Sequence, residues 1–125
     1  MDYKDLNVWI LAMALVIKIY DATKKFPQEE RYGLIDQMRR SSVSIPSNIA
    51  EGHARRTPKD FTKFLRIALG SVAELETQTI VAHSLNYIDK QTEEDLKNDC
   101  LSLQKMLRKF IKSITAQQPS NLVTQ

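Results

Sequence analysis

A chain of 125 residues with a formal charge of +3 and 42% hydrophobic residues is long enough for one domain with a single core and no disulfide staples. Three glycines, four prolines and no stretch of alternating polarity exclude a β-rich fold and point to an all-α one. The single cysteine, Cys100, has no internal partner and suits a reducing compartment.

The spacing predicts a first helix from Lys4 to Lys25. Leu6, Trp9, Ile10, Met13, Val16, Ile17 and Tyr20 recur at three- and four-residue intervals and form one wide apolar face. The apolar run Val8 to Ile17 is not a secretory leader, because Asp2 and Asp5 precede it where such leaders carry positive charge. Lys18 ends it well short of the roughly 20 residues that span a bilayer. A soluble, cytoplasmic protein is expected.

Phe26-Pro27 ends the first helix, since the residue before proline is pushed out of the α region. Gln28, Glu29 and Glu30 open a second helix with acids in its first turn, and it runs to about Gly52-His53. Its second half breaks propensity rules. Between Arg39 and Gly52 lie Pro46, four serines, Asn48 and Glu51, although Met38, Ile45 and Ile49 keep a helical beat. Proline inside a helix removes a backbone donor at a cost of about 3 kcal/mol, and serine and asparagine compete for backbone hydrogen bonds. A kink is expected near Pro46, with the Ser42 carbonyl taken up by a nearby serine, asparagine or water.

Thr57-Pro58-Lys59-Asp60 is a strong helix start: a capping threonine, proline at the first helical position, and an acid in the first turn. The third helix aligns Phe61, Phe64, Leu65, Ala68, Val72, Leu75, Thr79 and Ala82. Small Ala68, Gly70 and Ser71 invite close approach by a neighbouring helix. Asn86 to Asp89 breaks the pattern, and Thr92 with Glu93, Glu94 and Asp95 starts the fourth helix. Leu96, Cys100, Leu103, Leu107, Phe110, Ile111 and Ile114 form its apolar stripe. Residues 1–116 are thus an antiparallel up-and-down four-helix bundle, and 117–125, without period, are a frayed, disordered tail.

Several residues invite a functional reading. Arg39, Arg40, Arg55 and Arg56 bracket the polar segment, and Lys59, Lys63 and Arg66 extend them into the third helix. Clustered at one corner, such side chains suit phosphate oxygens; the plainer alternative is a solvated loop and local ion pairs. Lys105, Arg108, Lys109 and Lys112 share one helix face as a second basic ridge, which equally suits the C-terminal end of a helix dipole. Ser44, Pro46, Ser47, Asn48 and Glu51 read as a structural polar motif, with Glu51 accepting from an arginine or capping the next helix. Glu74, Glu76 and His83 do not have the Glu-x-x-His spacing of carboxylate metal bundles, so no metal or cofactor is expected. No nucleophile elbow or phosphate loop occurs, and an enzyme is not expected. No quarter of the chain carries more than one basic residue in excess of its acids, so a nucleic-acid role depends on how the fold clusters them.

These residues resemble the four-helix bundle family of 23S rRNA intervening-sequence proteins. The likeness runs from Leu6 to about Ile114. It is carried by Val8-Trp9, Tyr20, Phe26-Pro27, Tyr32-Gly33-Leu34, Gln37 with Arg39-Arg40, and above all Ser44 to Gly52, then by Arg56, Asp60-Phe61, Phe64-Leu65, Ala68, Gly70-Ser71 and Glu74 to Gln78. The resemblance implies a small cytoplasmic bacterial protein and extends to the accessory protein of diversity-generating retroelements. It implies a homopentamer that binds RNA or other nucleic acid. The alternative is a protein-interaction scaffold or accessory subunit, for example of a reverse transcriptase, with no nucleic-acid contact of its own.

Overall fold

Four helices follow one another along residues 2–117, the part of the chain that the computed structural model describes; the expected tail from residue 118 onward lies outside the described residues. They are α1 (Asn7–Thr23), α2 (Leu34–Ala54), α3 (Pro58–Ser84) and α4 (Lys90–Ala116), with 3-10 turns at Tyr3–Asp5 and Gln28–Glu30. No strand occurs among the described residues. α2 packs on α1 and α3, and α4 on α3 and α1, while α1 and α3 sit at diagonal corners. Short connections turn the chain back at each step, giving the antiparallel up-and-down bundle.

The helix ends show how local chemistry sets the bounds. Thr57 Oγ1 accepts from the Asp60 amide at 3.1 Å and Pro58 occupies the first helical position. α4 starts earlier than expected: Asp89, rather than Thr92, is the cap, its carboxylate accepting from the Thr92 amide at 2.7 Å. The second helix starts later. Gln28–Glu30 is a separate turn, because the Gly33 backbone (φ −108°, ψ −112°) breaks from it, and Glu30 Oε1 then accepts from the Leu34 amide at 3.2 Å to start α2. α2 continues helically through the buried Pro46.

The core is built from Leu15, Ile19, Met38, Ile45, Ile49, Leu65, Val72, Leu75, Leu96, Leu103 and Leu107, all essentially inaccessible, each contributing about 1.5–3 kcal/mol of burial. The stripes of α3 and α4 turn inward as their periodicity predicts. The stripe of α1 does not. Val8, Ala12, Leu15, Ile19 and Thr23 face the core, whereas Ile10, Met13, Ile17 and Tyr20 of the predicted face are exposed, Ile17 by 60%. Because α1 is apolar almost all round, periodicity cannot rank its faces. Two polar ties decide the rotation. Lys18 reaches α4, donating to Asp99 at 2.8 Å and Asp95 at 3.3 Å. On the other flank the Tyr20 carbonyl and the Thr23 hydroxyl accept from Arg39 of α2. With those flanks pinned, the face between them points inward.

Gly70 is not a close-approach glycine; it lies on the outside with nothing within 4 Å of a Cβ built there. Gly52 has that role, a Cβ there falling 2.7 Å from Phe64 Cβ and 3.1 Å from Phe61 Cδ1.

Candidate nucleic-acid interface

The polar segment of α2 resolves into structural contacts. Ser44 Oγ and Ser71 Oγ lie 2.9 Å apart, joining α2 to α3, and Asn48 Nδ2 donates to the Ser44 carbonyl at 2.8 Å and its hydroxyl at 3.0 Å. The asparagine thus serves Ser44 rather than the Ser42 carbonyl. Ser42 itself is buried and donates to the Arg39 carbonyl at 2.9 Å. Ser47 is exposed, and Glu51 accepts from Arg55 at 3.0 Å instead of capping α3. Hydroxyls and an amide in a half-buried seam next to Pro46 keep their hydrogen-bonding capacity filled, as burial demands.

The seven arginines and lysines do not share one corner. Arg39 and Arg55 are sixteen residues apart on a continuous helix, or about 24 Å along its axis. Arg39 is a structural residue: its Nε donates to Thr23 Oγ1 at 2.9 Å, it reaches the Tyr20 carbonyl at the end of α1, and its guanidinium stacks 4.5 Å from the Tyr20 ring centroid. Arg40 is exposed and pairs with Asp36 at 3.0 Å.

Arg55, Arg56, Lys59, Lys63 and Arg66 gather where α2 passes to α3, all exposed. Arg55 and Lys63 flank the Phe64 ring, at 5.0 and 5.9 Å from its centroid, so two flexible cations share one hydrophobic seat. Arg56 takes a left-handed backbone (φ 66°) that ends α2, a conformation uncommon for a residue with a side chain. Beneath it Gly52, His53, Thr57, Phe61 and Ile114 line a cavity of about 340 Å³. An aromatic chain closes this end of the bundle, running Trp9, Tyr3, His53, Phe61 and Phe110 with centroid separations of 5.2 to 6.4 Å.

The second ridge belongs to the same end. Phe61 meets Phe110 across α3 and α4, so the last half of α4 lies beside the first half of α3. Lys105, Arg108, Lys109 and Lys112 are exposed there. Dividing each helix at its midpoint separates the charges. The end with the α2–α3 turn carries ten basic and four acidic residues, net +6; the other carries eight and eleven, net −3. A nearly neutral sequence thus folds into a polar rod.

At the acidic end the carboxylates are held ionised by local donors. Tyr87 donates to Glu30 at 2.8 Å, and with the Leu34 amide this depresses the Glu30 pKa. Burial pushes the Glu93 carboxyl up, but the Lys90 hydrogen bond and the charges of His83, Lys90 and Lys97 outweigh it, and its pKa lies below the ordinary value. The Lys18 pKa is raised, first by its hydrogen bond to Asp99. Glu74, Glu76 and His83 do not come together: Glu76 accepts from Gln104 at 3.2 Å, and His83 faces Glu93 at 3.6 Å. No group of three or more potential metal ligands occurs among the described residues, and no described helix is long and apolar enough to cross a membrane.

Sequence reasoning missed the charge polarity, because each pole is assembled from half of each of the four helices. It also missed the structural role of Arg39, for which the buried Thr23 at the end of α1 is the only signal.

The chain matches the family model described as 23S rRNA-intervening sequence protein over residues 4–109. Its fold is similar to that of a protein with unknown function from the S23 ribosomal protein family of Bacteroides thetaiotaomicron VPI-5482, solved at 1.70 Å. That similarity has a TM-score of 0.76 and 26% sequence identity, and covers 84% of this chain and 98% of that one. No curated protein matches the chain.

Proposed function

This chain belongs to the 23S rRNA-intervening sequence protein family, and from that premise we propose that it is a non-enzymatic, homo-oligomeric bundle, a homopentamer as the resemblance implies, that binds RNA through its basic end. The observation that carries the reading is the sorting of charge along the bundle, net +6 against net −3. Arg55, Arg56, Lys59 and Lys63 on one side and Lys105, Arg108, Lys109 and Lys112 on the other supply the phosphate contacts. Arg39 and Arg40 do not take part, one being committed to α1 and both lying at the other end. Copies held together add avidity to individually weak contacts.

The acidic pole has a function in this reading: it repels phosphate and orients the rod end-on toward a polyanion. Retention of a structured RNA should fall steeply with salt. Four phosphates neutralised per site correspond to a log–log slope of about −3 to −4. Lys63→Glu with Lys109→Glu should weaken retention at least about ten-fold and flatten that slope, whereas Arg40→Glu should leave both unchanged. Equal losses in the two variants, or no retention at low salt, would refute the basic-end reading; an intact oligomer without RNA retention would instead favour the accessory-subunit alternative.

A further inference from the structure

The cavity beneath Arg56 has the make-up of a ligand site. It lies where the end of α2, the start of α3 and the end of α4 meet, and its volume of about 340 Å³ falls at the small end of ligand pockets, which span about 300–1,000 Å³. Buried Gly52 and Ile114 and half-buried Phe61 form its inner wall, and exposed Arg56, Thr57 and Gln117 its rim. The Phe61 ring is held from two sides, by His53 at 5.7 Å and Phe110 at 5.2 Å, both edge-to-face. A ring fixed in this way gives up little freedom when another ring stacks on it.

The rim keeps hydrogen-bonding and charge capacity for a ligand. Thr57 Oγ1 accepts from the Asp60 amide at 3.1 Å, and a hydroxyl that accepts still has its own hydrogen to donate. Gln117 brings an amide donor and acceptor, and His53 a ring nitrogen of each kind when neutral. Arg55 is tied to Glu51 at 3.0 Å, whereas among the described residues no ion pair engages Arg56. Arg56 also holds a left-handed backbone (φ 66°), where glycine would be the unstrained choice. Strain of this kind collects at functional sites.

We infer that this cavity takes one unpaired nucleotide of an RNA strand, its base against Phe61 and its phosphate on the Arg56 guanidinium. The inference rests on the RNA reading above and narrows its substrate. A cationic end attracts paired and unpaired RNA alike. A base inside a duplex is stacked on both faces and paired at its edge, so only an extruded or single-stranded base can reach Phe61. Every base has a π-face, so stacking selects for the unpaired state rather than for a sequence. The hydrogen-bonding edge of the base then meets Thr57, His53 and Gln117, and arginine suits the phosphate through paired N–H donors.

The test measures fluorescence anisotropy at low salt, with the full chain and two RNAs of equal phosphate number: an oligouridine single strand and a blunt duplex. Wild type is expected to bind the single strand about ten-fold more tightly, the worth of one stacked base. Thr57→Asp keeps a competent helix cap, so helicity by circular dichroism should be kept, but it sets a carboxylate at the rim. Its single-strand affinity should fall to that for the duplex. Lys59→Gln makes the same change in net charge two residues from Phe61, on a side of α3 that does not face with it. It should weaken both RNAs alike and leave the preference intact. A strand carrying a photoreactive thiouridine should form adducts within residues 52–61 or 114–117. Equal wild-type affinity for the two RNAs, a preference that survives Thr57→Asp, or adducts only elsewhere would overturn the cavity assignment and leave the basic-end reading standing. Adenosine monophosphate competing as strongly as the strand would overturn the strand as occupant in favour of a free nucleotide. Binding of neither RNA would overturn the RNA reading itself.

Discussion

Replacing Gly52 by alanine puts one methyl group into the tightest contact between α2 and α3. The new Cβ falls 2.7 Å from Phe64 Cβ, 3.1 Å from Phe61 Cδ1 and 3.3 Å from the Phe61 carbonyl oxygen. Carbon atoms rest at about 3.5–4.0 Å, so the two helices must part by about 0.8 Å or Phe64 must move with its backbone. The Phe64 Cβ is anchored, and rotation about χ1 cannot relieve the clash. Overpacking of this kind costs about 1–3 kcal/mol, while alanine regains about 1 kcal/mol of helix propensity over glycine. A net loss of up to about 2 kcal/mol is expected, or a Tm lower by up to about 8 °C for a chain of this length. Gly70 provides the internal control. It lies in the same kind of helical backbone with nothing within 4 Å, so Gly70→Ala should stabilise by about 0.5–1 kcal/mol. Both substitutions are followed by urea and thermal unfolding. Movement of Phe64 would also unseat Arg55 and Lys63, so RNA retention should weaken in Gly52→Ala alone. If both alanine variants are stabilised alike, the close approach at Gly52 is not what holds α2 to α3.

Stability should fall in acid. The Glu30 and Glu93 pKa values lie below 4.5 and that of Asp89 below 3.8 in the fold, so their contribution is complete above the unfolded values and is lost as pH falls through the folded ones. Glu30→Gln should flatten the acid limb of a Tm–pH profile below about pH 4.5; an unchanged limb would show that its bonds to Tyr87 and Leu34 matter little. Burial first, then Glu76 and Asp99, push the Cys100 thiol up to about 12 from 9.0, leaving about a thousand-fold less thiolate. Alkylation at pH 8 should therefore be very slow until urea unfolds the chain, and rapid native labelling would contradict the packing of α4. Asp89→Ala should cost about 1 kcal/mol as a lost cap, whereas Thr92→Ala should cost much less; the reverse order in urea unfolding would return the helix start to Thr92.

How much of this could be read from the residues varies by helix. In α3 and α4 the apolar residues recur most regularly along one side, so periodicity alone named their buried faces from Leu65 to Ala82 and from Leu96 to Ile114. Thr57 and Pro58 announced the start of α3 because capping is local chemistry, readable within four residues. The start of α4 was misread by three residues because Asp89 and Thr92 are both competent caps, and only the turn through the left-handed Asn86 (φ 63°) selects between them.

Residue patterns were enough for the class of fold, the number of helices, the family, and the inward faces wherever one side of a helix is the more regularly apolar. Tertiary structure decided the rest. It rotated α1 so that its most periodic apolar stripe faces outward, because Lys18 must reach Asp99 and Arg39 must reach Thr23. It withdrew Arg39 and Arg40 from the other cations and set Lys105 to Lys112 beside Lys59 and Lys63. Periodicity reports on one helix at a time, whereas the facing of an all-apolar helix and the summed charge of a bundle end depend on residues that only packing brings together.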